Sequence, residues 1–61
     1  MIQVHLKQGG NVTVDSAKKG EWRIKYHGSV QMVEVSESMH ANQTKYISIP
    51  IENVLFIKEI V

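Results

Sequence analysis

The sequence has no cysteine, which excludes disulfide bridges and thiolate metal sites. A domain of 61 residues buries only about 60% of the surface of its unfolded chain, and small domains usually rely on disulfides, a metal or a partner chain. The three histidines, His5, His27 and His40, are scattered, with no pair at metal-ligand spacing. We therefore expect no metal site, and we predict that self-association supports the fold.

Long apolar runs are also missing, and none reaches the roughly 18 residues that a membrane span needs. The first five residues lack the charged region and apolar block of a signal peptide. The absence of cysteine fits a reducing compartment. The sequence thus predicts a cytoplasmic protein with no membrane partner.

The sequence has little net charge, formally only +1, but the charged residues are unevenly distributed. Residues 1–25 hold five basic and two acidic groups, whereas residues 26–61 hold two basic and four acidic groups. Four of the basic residues fall within eight positions, namely Lys18, Lys19, Arg23 and Lys25. This cluster favours an anionic partner, although an ordinary solvated surface explains it too, because nucleic-acid-binding domains are usually far more basic.

Alternation of apolar and polar residues predicts β-strands along most of the chain. Glycine-containing turns at Gly9-Gly10 and His27-Gly28 separate them, and Pro50, which cannot sit in mid-ladder, predicts a short 3-10 turn over residues 50–53. The predicted strands are residues 2–7, 11–15, 21–26, 29–35, 46–49 and 54–60. The expected fold is a single all-β domain, a small antiparallel barrel or sandwich of five to six strands built from hairpins.

Two segments depart from simple alternation. Val30 and Met32 fall on one face of their strand and Val33 and Val35 on the other, which predicts a β-bulge near Met32-Val33. Residues 36–44 form the only long polar segment, and we predict a loop there, of the kind that is usually functional or disordered.

The last strand is apolar on both faces, with Val54, Phe56 and Ile60 on one side. The opposite side carries Leu55, Ile57 and Val61. A strand that is apolar on both faces must be covered twice, and a chain this small cannot do so alone. We predict a homodimer or higher homo-oligomer, with Leu55, Ile57 and Val61 in its interface.

The opening Val4-His5-Leu6-Lys7-Gln8-Gly9-Gly10 resembles the first strand and turn of Sm-like proteins. The stretch 49–57, Ile-Pro-Ile-Glu-Asn-Val-Leu-Phe-Ile, resembles the close of short barrel proteins of phage and bacterial origin. Together these cover about a third of the chain. The Asp and Asn of the Sm base-binding pattern, its Arg/Lys-Gly step and its N-terminal helix are absent. The resemblance implies a short-stranded, phage-type barrel that assembles through its strands, and it carries no RNA site onto any residue.

Catalytic constellations are lacking. Ser36 and Ser38 lie near His40, but this polar stretch offers neither a rigid turn for a nucleophile nor an oriented base. The Gly9-Gly10 turn is followed by neither the Lys-Ser/Thr pair nor the helix of a phosphate loop. We expect no enzyme activity, no catalytic residue and no cofactor.

Two hypotheses of function follow. In the first, an oligomeric binding protein captures a nucleic acid or nucleotide through the basic cluster, with Tyr26 and Tyr46 as stacking surfaces for bases. Trp22 alternates with Ile24 and is the expected core anchor rather than a ligand platform. In the second, the protein is an interaction module, an inhibitor or adaptor of a host or defence protein, that acts through a strand edge or the 36–44 loop.

Overall fold

The structure, a computed structural model, describes residues 1–38 and 44–61 and consists of six β-strands and one 3-10 turn. The elements are β1 (Ile2–Leu6), β2 (Asn11–Val14), β3 (Trp22–His27), β4 (Val30–Ser38), β5 (Thr44–Pro50), the 3-10 turn (Ile51–Asn53) and β6 (Val54–Glu59). They form two three-stranded antiparallel sheets that are not closed into a barrel. The predicted all-β fold is confirmed, in its sandwich form. No helix within the described residues is long and apolar enough to cross a membrane.

The first sheet has the strand order β2-β1-β6, so β1 lies at its centre. Along β6 the register shifts, because His5 pairs with Phe56 whereas Leu6 pairs with Val54. Leu55 is therefore the extra residue of a β-bulge, and the inward and outward positions exchange there. As a result Val54 and Ile57 both pack against the core, which corrects the prediction that they lie on opposite faces.

The second sheet has the order β3-β4-β5, and its register runs without a shift from Trp22 to Pro50. The predicted bulge near Met32-Val33 is therefore wrong, since Met32 simply faces outward and Val33 inward. The turn between β3 and β4 is Gly28-Ser29, one residue later than predicted. Gly28 has φ +67°, the positive value that a two-residue hairpin turn requires at its first position.

The segment 36–44 is not a nine-residue loop. β4 continues to Ser38 and β5 begins at Thr44, and these two residues are paired. Polar residues extend the ladder here because both strands satisfy their backbone groups in it. The rest of the predicted loop, residues 39–43, lies outside the described part of the chain.

The core lies between the two sheets. Its buried residues are Ile2, Val4, Val14, Ala17, Val33, Val35 and Ile49. Trp22 is half-buried and packs against this cluster, in agreement with its expected place in the core. Ile24 and Tyr26 continue along the inward face of β3, yet Ile24 is 49% and Tyr26 67% exposed. The second sheet thus extends beyond the first at the β3–β4 turn.

Candidate ligand-binding face

The outward face of the second sheet gathers charged and aromatic side chains from all three strands. We call it the charged face; its members are Arg23, Lys25 and His27 on β3, Glu34 on β4 and Tyr46 on β5. Alternate residues of a strand share a face, and directly paired residues of neighbouring strands do too. Because Arg23 pairs with Glu34, the hairpin register itself places these groups together.

Glu34 is the centre of this face and is only 6% exposed although it points away from the core. Its Oε2 accepts a 2.9 Å hydrogen bond from Nε2 of His27, and Nε of Arg23 lies 3.6 Å from Oε1. The hydrogen bond from His27 lowers the pKa of Glu34 below its usual value. Burial opposes this shift, while the positive charges of Lys25 and Arg23 add to it.

Arg23 also lies over the ring of Tyr46, with its guanidinium carbon 5.4 Å from the ring centroid. This distance is within the range of a cation–π contact. The Arg23 side chain is 53% exposed, and Tyr46 is likewise half exposed. The pair therefore presents a planar cation and an aromatic ring to solvent, side by side.

The loop lysines occupy a different setting. Lys18 and Lys19 lie between β2 and β3, where the backbone N–H of Lys18 donates to Glu21 at 2.7 Å and that of Gly20 donates to Glu59 at 2.5 Å. Two carboxylates thus share the loop with the two lysines. Within residues 1–38 and 44–61, neither lysine forms an ion pair or hydrogen bond with the charged face.

Tyr26 lies on the opposite face of the sheet from Arg23 and Lys25. Its hydroxyl accepts a 2.9 Å hydrogen bond from Nε2 of Gln31. The ring borders an open depression at the end of the sandwich, whose other lining residues are Ser29, Val30, Gln31, Ile51 and Glu52. Of the six predicted ligand residues, the structure brings together Arg23, Lys25 and Tyr46, and it does not join Tyr26 to them.

Two members of the charged face, His27 and Glu34, were missed by sequence reasoning. The sequence places His27 in the predicted turn, and it counts Glu34 only among the four acidic groups of residues 26–61. The available signal was the hairpin register: a turn at Gly28-Ser29 places Glu34 directly opposite Arg23. With the turn one residue earlier, at His27-Gly28, the cross-strand partner of Arg23 would be Met32.

The predicted interface residues are divided between surface and interior. Leu55 is 60% exposed and Val61 fully exposed, whereas Ile57 packs against the core. Sequence reasoning placed Ile57 beside Leu55 because it did not foresee the bulge. Next to Leu55, Phe56 is also half exposed and stacks on His5, with ring centroids 4.3 Å apart and planes inclined by 14°.

Within the described chain, no cluster of three or more histidine, cysteine, aspartate or glutamate residues could hold a metal ion. His27 and Glu34 form a pair only, and Arg23 occupies the space beside them. The contacts that the structure shows on the charged face are ion pairs and one cation–π contact. Comparison of the chain with protein-family models, with curated proteins and with solved structures finds no match.

Proposed function

We propose that this protein is a small, non-enzymatic, cytoplasmic binding protein that captures a nucleic acid or nucleotide on its charged face. The observation that carries the proposal is the exposed pair of Arg23 and Tyr46, with Lys25 two residues along the same face. Arginine and lysine attract phosphate, and an exposed tyrosine ring offers a base a surface on which to stack. Glu34 offsets one positive charge, so the face is modestly rather than strongly basic.

The test is a salt titration of binding to short single-stranded oligonucleotides and to linear and cyclic nucleotides. Contacts to phosphate release counterions, so log affinity should fall with log salt by about 0.7 per contact for single strands. The double variant Arg23→Gln/Lys25→Gln should flatten that slope by about one to two units and leave the fold intact, because both side chains point outward.

Two further double variants remove the same charge elsewhere. Lys18→Gln/Lys19→Gln tests the loop lysines of the predicted site, and Lys7→Gln/Lys58→Gln is the matched control, since Lys58 lies on the outward face of the first sheet. We expect the control to retain the wild-type slope. If the wild-type protein binds none of these ligands at about 50 mM salt, the ligand proposal is wrong.

We also propose that copies of the chain associate through β6. This strand lies at the edge of its sheet in the described structure, and Leu55 and Phe56 are exposed beside that edge. Exposed backbone groups at a sheet edge and adjoining apolar side chains are features that a second strand covers. Sedimentation that shows only a 6.9 kDa species at tens of micromolar would contradict self-association.

The same edge supports a second candidate function, an interaction module that inhibits or adapts a host protein by strand addition. In this case the purified protein should carry no nucleic acid, as judged from its absorbance ratio at 260 and 280 nm. It should instead form a complex of defined stoichiometry with one host polypeptide. Leu55→Asp should abolish that complex, whereas the charged-face variant Arg23→Gln/Lys25→Gln should not.

A further inference from the structure

We infer that Glu34 is a positioning residue. It orients Arg23 so that the two Nη groups of the guanidinium form a ready-made site for phosphate, and Lys25 is the second cation of that site. The inference rests on the proposed function and deepens it, because it specifies which group of the ligand is bound and how. It also explains why a buried carboxylate lies in the middle of a face that is proposed to bind anions. Charge complementarity alone would favour no acidic residue there.

Two contacts orient the guanidinium of Arg23. Its Nε lies 3.6 Å from Oε1 of Glu34, and its central carbon lies over the ring of Tyr46, 5.4 Å from the ring centroid. Nε is the inner edge of the guanidinium, so the two Nη groups at the outer edge are left for solvent. Across residues 1–38 and 44–61, Arg23 has no ion pair other than the one with Glu34.

Glu34 is itself held firmly enough to act as an anchor. Its second oxygen, Oε2, is engaged by His27 at 2.9 Å, and the side chain is almost fully buried. The two oxygens therefore face two different partners on β3. A carboxylate fixed in this way cannot easily leave Arg23 when another anion arrives, so an incoming anion meets the outer edge of the guanidinium.

The chemistry of that outer edge favours phosphate. Arginine binds phosphate oxygens through two parallel N–H donors, and orientation of the fork adds both energy and geometric specificity. Lys25 follows at a distance of two residues along an extended strand, about 6.6 Å, on the same face. Arg23 and Lys25 thus place two cations on this face against one carboxylate, and the ring of Tyr46 lies beside Arg23, where a base could stack.

A positioning role and a purely electrostatic role for Glu34 predict opposite changes in anion affinity for the substitution Glu34→Gln. If Glu34 acted only through its charge, Glu34→Gln would strengthen binding of an anion by removing repulsion. If Glu34 positions Arg23, the same change frees a flexible side chain that must be ordered again on binding. We expect affinity to weaken by about three- to tenfold, the cost of immobilising one such side chain.

The experiment measures binding of three probes at about 50 mM salt by NMR titration: inorganic phosphate, a nucleoside monophosphate and a short single-stranded oligonucleotide. The variants are Glu34→Gln, Arg23→Lys, which keeps the charge but removes the fork, and Glu37→Gln as the control. Glu37 lies on the same strand but faces the other way, with Lys45 as its cross-strand partner. Binding by the mononucleotide assigns the site to a terminal phosphate, and binding by the oligonucleotide alone assigns it to a backbone phosphate. In either case, weaker binding by Glu34→Gln than by Glu37→Gln supports the inference.

The outcomes separate the inference from the proposed function. If the wild type binds none of the probes, the proposed function fails and takes the inference with it. If the wild type binds but Glu34→Gln binds as tightly as Glu37→Gln or more tightly, only the inference fails. If Glu34→Gln does not fold, the NMR signal of the Arg23 Nε–H in the ligand-free wild-type protein tests the inference instead. An ordered, slowly exchanging signal supports the inference, and an averaged, rapidly exchanging one overturns it.

Discussion

The two sheets of the sandwich differ in strand length, and the longer sheet has inward-facing residues that the shorter one does not cover. The strands of the first sheet have five, four and six residues, and those of the second have six, nine and seven. The shorter sheet covers only part of the longer one. Hence the inward positions of β3 pass from half-buried Trp22 to the exposed Ile24 and Tyr26. Inward orientation in the longer sheet therefore does not guarantee burial.

Their outward faces differ in chemistry as well. The first sheet presents the stacked pair His5 and Phe56 next to an apolar edge, whereas the second presents ion pairs around Glu34. Under the two proposals, the first face would contact another polypeptide and the second would bind an anion. A chain of this size can thus divide its contacts between sheets, because each sheet has one face that the core does not use.

The largest expected effect contrasts two positions of β6. Ile57→Asp should unfold the protein, because Ile57 packs against the core and an unpaired charge placed there costs several kcal/mol. Leu55→Asp places the same charge on an exposed residue and should leave the monomer folded while it dissociates any oligomer. Circular dichroism and sedimentation velocity on both variants distinguish these results. Two equally folded variants would show that the bulge does not turn Ile57 inward.

A smaller effect compares the same substitution in the two sheets. Ile2→Ala removes a fully buried side chain from the first sheet and should lower the free energy of unfolding by about 2–5 kcal/mol. Ile24→Ala, in the uncovered part of the second sheet, should cost less than about 1 kcal/mol, as is usual for surface positions. Urea unfolding midpoints measure both. Equal losses would mean that Ile24 is covered in solution, for example by a second copy.

The turn that ends the longer sheet allows a third test. Gly28 has φ +67°, and a Cβ at this position would meet no atom within 4 Å. Gly28→Ala should therefore destabilise through backbone conformation alone, by about 1 kcal/mol. Gly28→Asn should cost less, because asparagine adopts positive φ more readily. Thermal unfolding of both variants checks the order, and a harmless alanine would contradict the positive φ.

The smallest expected effect is one of pH and concerns Glu34 of the charged face. The pKa of Glu34 is lowered in the folded chain from an ordinary value of 4.5, so its carboxylate stabilises the fold above that pH. This contribution should disappear as the pH falls from about 4.5 through the folded pKa. Glu34→Gln should remove this part of the acid dependence, and His27→Ala should reduce it by deleting the main cause of the shift. An unchanged urea midpoint profile between pH 5 and 2 for Glu34→Gln would contradict this assignment.

The fold could be predicted from the sequence because its signals are local. Alternation identified the strands, Gly9-Gly10 and Gly28 marked the hairpins, and Pro50 marked the 3-10 turn before β6. The errors arose where the same local pattern is compatible with two different strand geometries. Apolar residues on both faces of β4 suggested a bulge, whereas the strand is regular and Met32 faces outward.

The site could be predicted only in part, because it depends on partnerships between strands. The alternation of β3 placed Arg23 and Lys25 together, but the burial of Glu34 follows from neighbours that lie far from it in sequence. A turn position wrong by one residue moves the register of the hairpin by two. Likewise, the bulge that turns Ile57 inward arises from the pairing of β6 with β1, which β6 alone does not encode.

The pairing of β1 with β6 has a consequence for how fast the chain folds. The N–H of Ile60 donates to the carbonyl of Met1 at 2.9 Å, so the first sheet joins the two ends of the sequence. The β3–β4–β5 meander needs only neighbouring segments and can form first, but the first sheet must close a loop of nearly the whole chain. Contacts of such high sequence separation slow folding, into the millisecond-to-second range for all-β domains. We expect a folding nucleus in the meander, with β6 as the last strand to dock.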